Sequence, residues 1–168
     1  MKTKMMVCAL VLGCTAMLVP HKANAQSESD KKFLAMAAQG DQNEIALSKV
    51  AEDKATNPAV KAFAEKMVKE HTEMTDGMKP FAEEWSITPP MGPDADHQKD
   101  IDKLNKLSGE DFDKEYIDIM VTDHAEALKA FTKEAKDTKD MKFRAVVLED
   151  KTMVAAHKNM AWDLKKKM

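Results

Sequence analysis

The chain has little of what usually staples or punctuates a fold. Its 168 residues include 2 cysteines, Cys8 and Cys14, and both lie in an apolar N-terminal stretch. Cleavage after Ala25 leaves a chain without cysteine, which excludes a disulfide framework and thiolate chemistry. A metal site must then be built from His, Asp, Glu or Met. The one dense cluster of helix breakers is Thr88-Pro89-Pro90-Met91-Gly92-Pro93. No strand-like alternation competes with helical periodicity. Beyond the N-terminal stretch, no apolar run is long enough to span a bilayer. Basic residues are not in excess either. The formal net charge is −3, and losing Lys2, Lys4 and Lys22 takes it to −6. That excludes the basic footprint of a nucleic-acid partner and any polybasic membrane signal.

What is present begins with a leader. Lys2 and Lys4 precede an apolar run from Met5 to Val19, and Ala23-Asn24-Ala25 is a small-x-small cleavage site. The expectation is a signal peptide over residues 1–25 and one domain over residues 26–168, delivered to the periplasm or cell envelope. Val11-Leu12-Gly13-Cys14 also resembles a lipobox. Lipid anchoring through Cys14 is disfavoured, because the residues after it remain apolar.

Four long stretches carry apolar residues spaced by three and four. The first runs from Ser27 or Ser29 to about Thr56, with Phe33, Ala37, Gly40, Leu47 and Ala51 on one face and Glu44 among them. Gly40 either weakens this helix or permits a close helix approach. The second starts at Asn57-Pro58, an N-cap followed by proline at the first helical position. It carries Val60, Phe63, Ala64, Met67, His71, Met74, Met78, Phe81 and Trp85, with Gly77 and Pro80 as points where it kinks or ends. The third, from Ser108-Gly109 to about Lys136, presents Phe112, Tyr116, Ile117, Met120, His124, Leu128 and Phe131. The fourth, from Asp140 to Lys166, presents Phe143, Val146, Asp150, Met153, His157, Met160 and Leu164. A short helix over about 97–107 occupies the connection between the second and third. Four helices of about 28 residues, each roughly 40 Å long, predict an all-α four-helix bundle. The short links predict two antiparallel hairpins. The middle connection either closes a simple turn or crosses over.

Three segments share one frame: Met67-Val68-Lys69-Glu70-His71, Met120-Val121-Thr122-Asp123-His124 and Met153-Val154-Ala155-Ala156-His157. A methionine four residues before a histidine lies one turn away on the same face. The three histidines and Glu44 all fall near mid-helix, so the core receives three imidazoles and one carboxylate at one level. Two readings follow. Glu44, His71, His124 and His157 can hold a single transition-metal ion, since imidazole and carboxylate suit zinc, copper, iron or manganese. Alternatively they form a metal-free buried hydrogen-bond network in an envelope stress or interaction protein. Methionines at this spacing are chiefly packing, and Tyr116 and Asp150 are neighbours on the same seams. Glu70 and Asp123 point about 100° away from the histidines they precede. That makes them flank residues rather than co-ligands. No phosphate loop or nucleophile motif is present, so no reaction is indicated.

Several motifs together resemble a known family. They are Phe33-Leu34-x-x-Ala37-Ala38-x-Gly40 with Glu44, then Val60-Lys61-x-Phe63-Ala64-x-x-Met67-Val68-x-x-His71, then Leu107-Ser108-Gly109-x-x-Phe112-Asp113-x-x-Tyr116, and Asp123-His124. In combination they resemble the secreted bacterial proteins grouped as domain of unknown function 4142, often labelled outer membrane proteins. The resemblance implies a ferritin-like four-helix bundle in the periplasm or outer envelope, and it implies no activity. Di-iron members of that architecture carry Glu three residues before His. Here Val68 and Val154 stand at those places, and the third helix offers His124 rather than Glu. A mononuclear site, or none, fits better than ferroxidase chemistry.

Overall fold

The structure, a computed structural model, describes residues 27–168, so the cleavage site and Cys14 lie outside the described residues. It contains α1 (Glu28–Lys54), α2 (Pro58–Glu84), α3 (Ala95–Leu104), α4 (Gly109–Asp137) and α5 (Met141–Lys165). There is no strand among the described residues. The helix starts follow capping chemistry. Ser27, Asn57, Asp94 and Asp140 each accept a hydrogen bond from a first-turn N–H, satisfying donors that a helix leaves open. Ser108 makes no such bond. There the turn into α4 is made by Gly109 at φ +61°, which a side chain would resist. Pro80 does not end α2, which continues to Glu84.

α1 packs mainly on α2 and α4 mainly on α5, with further contact of α1 on α4 and α2 on α5. Two buried carboxylates fix the directions. Asp113, at the start of α4, accepts from Thr56 N, Asn57 N and Thr56 Oγ1 at the junction of α1 and α2. At the other end, Thr138, just past α4, donates to Asp30 in the first turn of α1. α4 therefore runs antiparallel to α1 and parallel to α2. The connection from α2 to α4 must travel the length of the bundle, which settles the middle connection as a crossover. Ferritin-like bundles have one such crossover.

The crossover climbs along α1. Gln39 donates to Gly92 O, Asn43 bonds Asp94, and Lys54 donates to Leu104 O and Asn105 O. α3 thus lies over the groove between α1 and α4 and covers its upper part. Ile101 and Leu104 turn inward there.

The core is two apolar clusters. One gathers Leu47, Val60, Phe63, Met67, Leu104, Phe112, Tyr116 and Met120. The other gathers Phe33, Leu34, Met74, Met78, Phe131, Phe143, Val147 and Val154. Each long helix places a buried polar residue between them: Asp41 and Glu44, His71, His124, and His157. The buried face of α2 is close to the expected one, but that of α5 is rotated. Val147, Val154 and Ala161 are buried there, while Val146, Met153, Met160 and Leu164 are only partly covered. In the third segment it is the valine, not the methionine, that packs into the core with its histidine.

Near the α1 start, Glu134 is buried beside Asp30, and both are 3% exposed. Burial, and then the charge of Asp30, push the Glu134 carboxyl up to about 7. The folded chain then holds a proton between its ordinary pKa of about 4.5 and about 7, where the unfolded chain has lost it. This contribution to stability is present in full below that window and lost as pH rises through it. Glu134→Gln is expected to melt near the wild-type temperature at pH 5 and above it at pH 8. An offset that does not change between the two pH values would count against the buried pair.

Candidate metal centre

Mid-helix placement brings His71, His124 and His157 together from α2, α4 and α5. Their exposures are 3%, 1% and 0%. Ring centroids are 5.5 Å apart for His71–His124, 5.1 Å for His71–His157 and 5.3 Å for His124–His157. One nitrogen from each can be chosen so that all three lie within 4.8 Å of one another. Metal–nitrogen bonds of about 2.0–2.1 Å hold ligand nitrogens no more than about 4.2 Å apart, so the rings must draw together to bind one ion.

The other nitrogen of each ring is held from outside. His71 Nδ1 is 2.9 Å from Asp41 Oδ1 on α1. His124 Nδ1 is 2.8 Å from Met120 O, one turn back on its own helix. His157 Nε2 is 2.6 Å from Glu70 Oε2, across the α2–α5 seam. The atoms left facing inward are Nε2 of His71, Nε2 of His124 and Nδ1 of His157. The first two are 3.3 Å apart. Nδ1 of His157 is buried with no hydrogen-bond partner.

Burial sets the protonation states. It pushes His71 down to about 4 and His157 to about 4, the latter against the opposing hydrogen bond to Glu70. His124 falls to about 3, through burial and then the neighbouring imidazoles. At neutral pH all three are neutral, the state that can donate lone pairs to a metal. Asp41 is raised to about 8 by burial, opposed by its hydrogen bond from Thr75. Burial also raises Glu70, but hydrogen bonds from Lys66 and His157 outweigh it and hold its carboxyl below the ordinary value.

Glu44 does not share the inward face of the triad. Its Oε1 lies 3.7 Å from His124 Nδ1, the edge already bonded to Met120 O. Its Oε2 is buried and unpaired. Burial, then the charge of Asp123, raise its carboxyl well above the ordinary value. Tyr116 turns away from the histidines to share a 2.8 Å hydrogen bond with Ser48. Asp150 is 3% exposed, and its Oδ2 has no partner. Sequence reasoning did not single out Asp41, and it left Glu70 on the flank of its own helix. A usable signal was there for Glu70. About 100° of rotation aims the residue before a histidine at the neighbouring helix. Asp123 behaves alike, lying 3.6 Å from His97 Nε2.

His97 is the counter-example among the histidines. Held by Asp94 at 2.8 Å and near Asp123, it is pushed up to about 9, chiefly by Asp123 and against its partial burial. It is charged at neutral pH and has no lone pair to offer a metal.

A cavity of about 380 Å³ opens between α1 and α4, below α3. His71, His124, Met74 and Val154 form its inner wall, and Glu44, His97 and Asp123 border it. A Cβ placed on Gly40 would meet nothing within 4 Å. Gly40 therefore does not serve a close helix approach; it leaves space beside the histidines.

The profile of a domain of unknown function, DUF4142, matches residues 16–164. The chain belongs to the DUF4142 family. No curated protein matches it. Its fold is shared by solved structures of low sequence identity. A DUF305 fragment from Deinococcus radiodurans is 10% identical, with a TM-score of 0.74 over 85% of this chain and 99% of that one. CopM in its Cu(II)-bound form is 21% identical, with a TM-score of 0.70 over 82% of this chain and 96% of that one. A DUF305 protein from Streptomyces coelicolor is 13% identical, with a TM-score of 0.70 over 81% and 89%. These likenesses bear out the ferritin-like, all-helical bundle of this DUF4142 chain. Among the described residues, no helix is long and apolar enough to cross a membrane.

Proposed function

We propose that this DUF4142 protein is an envelope or periplasmic bundle that binds one transition-metal ion through His71, His124 and His157. Its role in this reading is metal storage, tolerance or oxidative defence. The observation that carries the reading is the arrangement of the ring nitrogens. Each outer nitrogen faces a carboxylate or carbonyl acceptor, and three inner nitrogens converge. Acceptors behind metal-binding histidines fix the tautomer and raise ligand basicity. With those tautomers, the Nε2 lone pairs of His71 and His124 confront each other at 3.3 Å, and a cation between them relieves the repulsion. An all-imidazole donor set suits copper and zinc ahead of manganese. The Cu(II)-bound form of CopM, on the same fold, makes copper the first ion to test. The leader over residues 1–25 and the single domain over 26–168 belong to the same proposal.

Asp41 supports a second reading without metal. Its raised pKa favours a protonated carboxyl, which can donate to His71 Nδ1. His71 Nε2–H then donates to His124 Nε2, and His124 Nδ1–H to Met120 O. That relay is complete, but it leaves His157 Nδ1 buried and unpaired, at a cost of about 1–3 kcal/mol. The test is metal content. Untagged mature protein, equilibrated with Cu(II), Zn(II), Fe(II) or Mn(II) and then desalted, should carry one ion per chain for at least one of them. Protein that emerges metal-free from all four belongs to the second reading.

A further inference from the structure

Three buried histidines pose a question of access, because α1 to α5 enclose them and an ion must cross a low-dielectric layer. Only one described cavity reaches the triad, between α1 and α4 where α3 stops covering the groove. Its wall is mostly apolar, with Met36, Ala37, Ala127, Ala130 and Phe131 among the lining residues. Of the acids that border it, Asp94 and Asp123 lie 2.8 Å and 3.6 Å from the charged His97, Asp41 pairs with His71, and Glu126 is exposed. Glu44 feels the charge of His97 without bonding to it. It is 6% exposed, its Oε2 has no hydrogen-bond partner, and its Oε1 stands 3.7 Å from the ring of His124. A buried carboxyl oxygen without a partner at the inner end of a cavity is costly to keep, and a cation reaching it supplies the missing partner.

Resting on the metal reading, we propose that this cavity is the route by which the ion reaches the histidines, and that Glu44 receives it and passes it to His124 and His71. An oxygen donor there lets the ion shed water one ligand at a time. Glu44 then has a duty separate from the three imidazoles, which explains why it lies against the outer edge of His124 rather than in the triangle. Gly40 has a related duty. A Cβ added there meets nothing within 4 Å, so a side chain at this position enters the passage.

That space supplies a variant that keeps its fold. Gly40→Leu removes a helix-interior glycine and meets no neighbour at Cβ. Full-length mature protein, metal-free, is mixed rapidly with Co(II), and binding is followed by the visible absorption of the bound ion. Release is followed by transfer to excess chelator. Gly40→Leu should slow both loading and release by about tenfold or more, while their ratio, the affinity, stays within about threefold of wild type. Glu44→Leu should slow loading by about tenfold, with a smaller effect on affinity, since it removes the oxygen donor on the way in and about 1.4 kcal/mol of barrier is tenfold in rate. Both variants loading at the wild-type rate would overturn the route while leaving the triad intact. Wild-type protein that takes up no Co(II), in a preparation that also fails with the other ions, overturns the metal reading itself. Loss of affinity in Glu44→Leu equal to that of a triad variant would make Glu44 a ligand and overturn its role as a relay.

Discussion

Alanine at any one of His71, His124 or His157 is expected to abolish the rise in melting temperature that metal gives the wild-type protein. An ion at 100 times its Kd stabilises the fold that binds it by about 2.7 kcal/mol. For a domain of this size that is a rise of roughly 5–10 °C. Each histidine supplies one of three inward nitrogens, and two imidazoles in this layer leave no third donor on the same face. Differential scanning calorimetry with and without Cu(II) or Zn(II) measures the effect. His71→Ala retaining the full rise would remove the triad from consideration. Glu70→Gln should give an intermediate result, because it loosens His157 without removing a donor, and lost support of this kind typically lowers affinity 10–100-fold.

Phe143→Ala is expected to lower stability by about 3–5 kcal/mol, the usual cost of emptying a fully buried phenylalanine site. Phe143 is 0% exposed, and its ring centre lies 4.8 Å from that of Trp85, 5.2 Å from Phe81 and 6.0 Å from Phe33. These partners come from α1, α2 and the end of α2, so the residue ties α5 to the first hairpin. The melting temperature should fall by roughly 10 °C or more. The increment due to metal should survive, since the site lies in a different layer. Loss of that increment together with the stability would mean that the lower cluster positions the histidines. The two variants therefore separate a packing defect from a ligand defect.

The sequence made the helices plain for physical reasons that the structure retains. Asn57-Pro58 and Asp140 mark helix starts because the side chain satisfies open N–H groups. The α2 seam from Val60 to Met78 was legible because large apolar residues recur on it without competition. α5 was harder. Val146 and Val147 are adjacent, as are Met153 and Val154, and spacing cannot choose between neighbouring valines and methionines. Of Met153 and Val154 the smaller lies inside, while Val146 and Val147 are identical and only the rotation of the helix separates them. Asp41 stayed hidden because an acid next to Gly40 carries no periodic signal. Its significance comes only from the approach of His71 30 residues away. The crossover was also not fixed by the sequence. Its direction depends on Asp113 gripping one end of α1 and Thr138 bonding Asp30 at the other, which are long-range contacts.

That crossover has a consequence for how a binding site can exist here at all. It divides the chain into two sequential hairpins, each able to form most of its contacts locally. Neither contains a complete site. The first contributes His71 and the acids Asp41 and Glu70, and the second contributes His124 and His157. Two of the three outer hydrogen bonds have their carboxyl group in the first hairpin, and one of these, at Glu70, is donated by His157 of the second. Helix formation alone therefore creates no affinity. Affinity arises only when the halves dock in register, and a bound ion acts as a clasp that reports on that docking.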